Sequence, residues 1–143
     1  MKFFGQPKTF EEFIEKASVK KIKDVKIESR EFYKTRTNLP TRYSFYIELS
    51  SGKTKVKIFE SHEEVFTHPN QAAEYSFERI FNWQKENLEI LIKAVEKLIS
   101  LRFRIENISV KDLTEMKEKL AELEKKVRYY NKITSEYPGR PKK

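Results

Sequence analysis

Apolar residues return every three or four positions between Pro69 and Arg104, and this recurrence predicts one long helix. Phe77, Phe81, Leu88, Leu91, Val95, Leu98 and Ile99 fall on one face of it. A second stripe, Trp83, Ile90, Ala94 and Leu101, lies about 120° further round at about 100° per residue. A helix apolar on more than half its girth needs cover from two sides. The pattern therefore predicts a sheet under the first half, around Phe77 and Phe81, and a helical partner for the second. Trp83, Ile90, Ala94 and Leu101 are left over and predict an interface with a second copy of the chain, a homo-oligomer.

Ahead of that helix the period changes twice. Thr9-Phe10-Glu11-Glu12 has the form of a capping box, and Phe10, Phe13, Ile14 and Ala17 follow at helical spacing, giving a short helix over about Thr9–Ala17. From Ile22 the period is two. Val25, Ile27 and Tyr33 share one parity, Lys26, Glu28, Arg30, Phe32 and Lys34 the other, with a bulge expected near Ser29 and Glu31. After Asn38-Leu39-Pro40 the alternation Tyr43, Phe45, Ile47, Leu49 returns. Ser51-Gly52 then predicts a two-residue hairpin turn. That turn sets Ser50 opposite Lys53, Ile47 opposite Val56 and Phe45 opposite Ile58, with Glu48 against Lys55 and Tyr46 against Lys57.

Past the long helix, Leu113, Met116, Leu120, Leu123, Val127 and Tyr130 repeat at alternating three and four, a coiled-coil-like seam on a last helix over about Val110–Ile133. The expected fold is α+β in the order αβββαα. A helix and a three-stranded antiparallel meander occupy residues 1–68, a long helical hairpin residues 69–133, and a polar, disordered tail residues 134–143.

Composition sharpens this picture. Charged residues make up 36% of the 143, against about 25% in an average domain. The net charge is +8, and the window 18–57 alone holds 11 basic and 4 acidic residues. A basic excess gathered in one segment suits a polyanionic partner. With no cysteine there is neither a disulfide framework nor a thiolate metal site. No apolar run approaches the length of a membrane span, and Met1–Pro7 lacks the apolar core of a signal peptide, so a cytoplasmic location is expected.

Catalytic chemistry has little to work with. Three glycines cannot make a phosphate cradle, and His62 and His68, beside Glu63 and Glu64, are six apart rather than at the i, i+4 spacing of a helical zinc pair. No nucleophile has a visible partner. Neither an enzyme, a metal nor a cofactor is expected. The outward parity of the strands is richer. It offers Lys26, Arg30, Phe32 and Lys34, then Arg42 and Tyr46, then Lys53, Lys55, Lys57 and Phe59. Cations interleaved with rings suit single-stranded DNA or RNA, charge for phosphates and ring faces for bases. A non-enzymatic adaptor, inhibitor or sequestering protein for a protein or small anionic ligand is the other reading.

Two resemblances bear on this. The αβββα order over about residues 9–85 resembles the double-stranded-RNA-binding domain. That family opens its last helix with lysines, and the matching stretch here, Thr67-His-Pro-Asn-Gln-Ala-Ala-Glu74, has none. Pro138-Gly139-Arg140-Pro141-Lys142-Lys143 resembles the core of an AT-hook, with Pro138 where that motif carries an arginine. The resemblance implies Arg140 in the DNA minor groove and Lys142 and Lys143 on phosphates.

Overall fold

The computed structural model describes residues 7–66 and 72–135. In chain order it contains α1 (Phe10–Val19), β1 (Asp24–Arg36), β2 (Leu39–Ser51), β3 (Thr54–Val65), α2 (Ala72–Ser100), β4 (Arg104–Ile105) and α3 (Val110–Ser135). The architecture is α+β, with one four-stranded sheet in the order β3-β2-β1-β4. The meander is antiparallel as expected. The two-residue β4, parallel to β1 through Asp24–Arg104 and Val25–Ile105, was not foreseen.

Local chemistry sets the element ends. Thr9 caps α1 by accepting the Glu12 N–H at 3.0 Å, while the Glu12 carboxylate takes the Lys8 N–H at 2.7 Å, one residue beyond the usual reciprocal bond. Both α1 and α2 close with a basic residue in the left-handed region, Lys21 (φ 57°) and Arg102 (φ 66°). In each case the following amide reaches back five residues, Ile22 N to Ala17 O at 2.9 Å and Phe103 N to Leu98 O at 3.0 Å. This bonding satisfies carbonyls that would otherwise be orphaned at the helix end, and it usually employs glycine.

The β2–β3 register differs from expectation by two residues. The turn is Gly52-Lys53, not Ser51-Gly52, so Ser51 faces Thr54, Leu49 faces Val56 and Glu48 faces Lys57. Gly52 carries φ +60° and Lys53 does not, the arrangement of a hairpin turn with glycine at its first central position. A bulge then follows, after which Ile47 faces Phe59 and Phe45 faces Ser61. The bulge expected within β1 at Ser29–Glu31 is absent. β1 pairs continuously with β2 from Lys26 to Lys34, and its register shifts only between Lys34 and Arg36, beside the turn where Asn38 has φ 60°.

All three helices lie on one side of the sheet. Phe13 of α1, Val25 and Ile27 of β1, Phe45, Ile47 and Leu49 of β2, Val56 of β3 and Leu91, Val95 and Leu98 of α2 form one core. The two halves of the first stripe of α2 are covered in the opposite sense to that predicted, and most of the second stripe joins the sheet core. Trp83 meets Tyr43 and Phe45 edge-on at 6.1 and 6.5 Å, and Ala94 is buried in the same core with Ile90 packed against it. Phe77 and Phe81 instead surround Tyr130 of α3, with ring centroids 5.6 and 5.4 Å away. The reason is strand length. Strands of 12 and 13 residues run about 40 Å at about 3.3 Å per residue, so the sheet underlies almost all of a 29-residue helix of about 44 Å. The oligomer stripe is thus occupied within the chain. Trp83 and Ala94 are buried and Ile90 half-buried, leaving only Leu101, in the turn after α2, 40% exposed. The α3 seam is as expected: Leu113, Met116, Leu120, Leu123, Val127 and Tyr130 are all buried or half-buried.

Candidate functional site

The opposite side of the sheet carries none of the three helices among the described residues. Alternation places Lys26, Glu28, Arg30, Phe32 and Lys34 of β1 there, with Arg42, Ser44, Tyr46, Glu48 and Ser50 of β2. From β3 come Lys55 and Lys57 and, past the bulge, Glu60, His62 and Glu64. Read across the strands, the rows are Lys26–Ser50–Lys55, Glu28–Glu48–Lys57, Arg30–Tyr46–Glu60, Phe32–Ser44–His62 and Lys34–Arg42–Glu64. Six cations therefore share the face with four carboxylates.

The centre of the face is aromatic. Phe32, 44% exposed, meets Tyr46 edge-to-face at 6.5 Å. The Arg30 guanidinium stands 5.6 Å over the Phe32 ring and the Lys57 ammonium 5.4 Å over the Tyr46 ring. Ring quadrupoles hold such cations without neutralising them, so both remain able to meet an anion. Lys57 also pairs with Glu60 at 3.7 Å, and Lys26 with Glu106 at 3.8 Å. Lys53 lies in the hairpin turn rather than on the face.

Phe59 does not belong to this surface. The bulge at Ile58 of β3, opposite Ile47 and Glu48 of β2, reverses the parity of the rest of β3, so Phe59 turns inward and sits 6.1 Å from Phe45. A single extra residue is sufficient, because side chains alternate with period two. Arg140 and the rest of the AT-hook-like segment lie outside the described residues, as does His68.

His62 is a residue of β3. Its Nδ1 is hydrogen-bonded to Ser44 Oγ at 2.9 Å and its Nε2 lies 3.5 Å from the Glu60 carboxylate. Serine, histidine and carboxylate in line have the composition of a hydrolytic triad. Ser44, however, sits mid-sheet on β2, paired on both sides. Its backbone neighbours are committed to the ladder on both sides, so their N–H groups are not free to hold an oxyanion. Among the described residues no three His, Asp or Glu side chains cluster as metal ligands, and no helix is long and apolar enough to cross a membrane.

A second surface opens on the helix side, between β1, α2 and α3. It is a groove of about 550 Å³, within the range of about 300–1,000 Å³ for ligand clefts. Phe45, Leu88, Leu91, Ile108, Met116 and Leu123 make its apolar wall, and Glu31, Glu115 and Lys119 stand on its rim. The Gln84 amide holds the Glu31 carboxylate at 3.0 and 3.1 Å. Asp112, also at the rim, accepts the Ser109 N–H at 2.7 Å, which holds its carboxyl below the usual carboxylate range. Inside, Trp83 Nε1–H donates to Ser61 Oγ at 3.0 Å, and Ser61 donates to Asn87 Oδ1 at 2.8 Å. The Asn87 Nδ2 is the one buried side-chain nitrogen or oxygen among the described residues without a hydrogen-bond partner.

Comparison with protein-family models, with curated proteins and with solved structures finds no match for this chain.

Proposed function

We propose that this chain is a non-enzymatic binding protein whose open sheet face takes single-stranded nucleic acid. One observation carries the reading: Phe32 and Tyr46 lie side by side at the centre of an uncovered sheet, each with a cation over its ring. A base stacked on an aromatic side chain gains about 1–3 kcal/mol. Arg30 and Lys57 stand where the phosphates flanking such a base pass. The carboxylates of Glu28, Glu48, Glu60 and Glu64 interrupt the positive field on either side of that centre. Binding is therefore confined to a short stretch of strand and is modest in affinity.

Fluorescence anisotropy of a labelled single-stranded oligonucleotide, read at two salt concentrations, tests this. Affinity should fall with salt at a slope of about 0.7 per phosphate contact. Phe32→Ala and Tyr46→Ala should each weaken binding by about 1–3 kcal/mol, and Lys57→Glu should lower the salt slope. Equal affinity for all three variants would remove the sheet face from consideration.

A further inference from the structure

β1 is thirteen residues long, and only its first two pair with β4. Hydrogen bonds on that side come from odd-numbered residues: Arg104 N donates to Lys23 O at 2.6 Å and Glu106 N to Val25 O at 2.9 Å. At the next such position a side chain replaces a strand. Ile27 N–H donates to Asn107 Oδ1 at 3.1 Å and Asn107 Nδ2 donates to Ile27 C=O at 2.8 Å, so one amide reproduces both bonds of a neighbouring peptide. Beyond it the chain turns away into α3. Ser29, Glu31 and Tyr33 follow with the same parity, exposed, and no described group bonds their backbone on this side.

The other sheet edge is different in kind. β3 is interrupted by the bulge opposite Ile47/Glu48 and carries Lys53, Lys55 and Lys57 around its hairpin end. Bulges and lysines are the usual means of blunting an edge. β1 runs without a register shift from Lys26 to Lys34, and the apolar groove lies alongside it, lined in part by Ser29 and Glu31 themselves.

We infer that the open edge of β1, from Ser29 to Tyr33, binds an extended peptide from a partner protein as an added strand continuing the line of β4. Backbone pairing would supply the affinity, and alternate side chains the specificity. Side chains on the helix side would enter the groove against Leu88, Leu91 and Met116, which asks for apolar residues. Those on the other side would stand beside Arg30 and Lys34, which asks for carboxylates, since opposite charges on neighbouring strands attract. The partner segment is therefore five or six residues long and alternates apolar with acidic. A second copy of β1 fits poorly: antiparallel pairing centred on the open stretch would set Glu31 directly against its own copy, a like-charge pair.

The test uses the whole protein and an eight-residue synthetic peptide alternating valine and glutamate. Titration followed by amide NMR should shift the Ser29, Glu31 and Tyr33 resonances and slow their hydrogen exchange. Glu31→Pro removes an edge N–H that the fold does not use, and should weaken binding about tenfold or more while leaving the β1–β2 ladder intact. Because proline can disturb a strand, a second arm keeps the protein unaltered and N-methylates alternate residues of the peptide; binding should fall equally. Undiminished binding of the methylated peptide, or of a scrambled peptide with its charges grouped, overturns the inference. So does a peptide-free dimer that Glu31→Pro dissolves, which would hand the edge to a second copy. An oligonucleotide that binds Glu31→Pro normally but not Phe32→Ala would separate this site from the one on the sheet face.

Discussion

The two faces of the sheet are written in the same strands, one residue apart, and they have opposite fates. On the inner face Ile47 and Leu49 are completely buried and meet α1 and α2. On the outer face Phe32, Tyr46 and ten charged side chains stand without a helix of the described residues over them. An aromatic ring on the inner face, such as Phe45, is there because the core needs its volume. An aromatic ring on the outer face has no such reason, and its neighbours Arg30 and Lys57 give it the chemistry of a contact surface. Parity within a strand separates what the fold needs from what it leaves available.

Truncation should affect the two faces unequally. Leu98→Ala, at a fully buried site, should cost about 2–5 kcal/mol in urea unfolding. Phe32→Ala should cost less than about 1 kcal/mol while reducing oligonucleotide affinity. Comparable losses of stability would mean that the outer face is also structural. A smaller effect is expected at Glu28, which stands directly opposite Glu48. Glu28→Lys turns a like-charge pair into an attractive one, raising stability by about 0.2–1 kcal/mol and tightening oligonucleotide binding. A gain in stability without tighter binding would place the nucleic-acid site elsewhere.

The smallest effect belongs to neither face. Asp24, hydrogen-bonded to Arg104 at 2.5 Å, and Asp112, bonded to Ser109, both have carboxyl groups held below their ordinary value. A depressed folded-state value means stability that is complete above the ordinary range near 3.8 and lost as pH falls through the lower folded value. Asp24→Asn with Asp112→Asn should therefore flatten the acid limb of a stability–pH curve by lowering its neutral plateau toward the acid value, with little change at the acid end. An unaltered acid limb would show that neither contact persists in solution.

Much of the fold was legible because its signals are local. The capping Thr9, the alternation in β1 and β2 and the alternating seam of α3 each follow from side chains within a few positions of one another. What was illegible depends on counting across a distance. A turn displaced by one residue, Gly52-Lys53 for Ser51-Gly52, moved the register by two without changing faces, so the apolar pattern could not reveal it. The bulge did change faces, and it carried Phe59 inward and Glu60 and His62 outward. Trp83 and Ala94 went to the sheet because the strands are twice as long as a typical six-residue strand, and periodicity does not state where a strand stops. β4 is two residues with no pattern to read, and Asn107 acts as a strand through its side chain, which no backbone period records.

The Asn107–Ile27 pairing and its neighbour Arg104–Asp24 also bear on the order of folding. Each joins residues 80 apart in sequence, whereas the two hairpins close over turns of two residues. Contacts of such separation carry the greatest loop-closure entropy and form late. The meander should therefore assemble first, with β1 bare along its whole outer edge, and β4 should dock only when α2 has brought it back. Hydrogen exchange should report the same hierarchy in reverse, with the amides of Ile27 and Glu106 opening before those shared by β1 and β2. A segment that docks last and leaves first makes the length of open edge on β1 a property that varies with time.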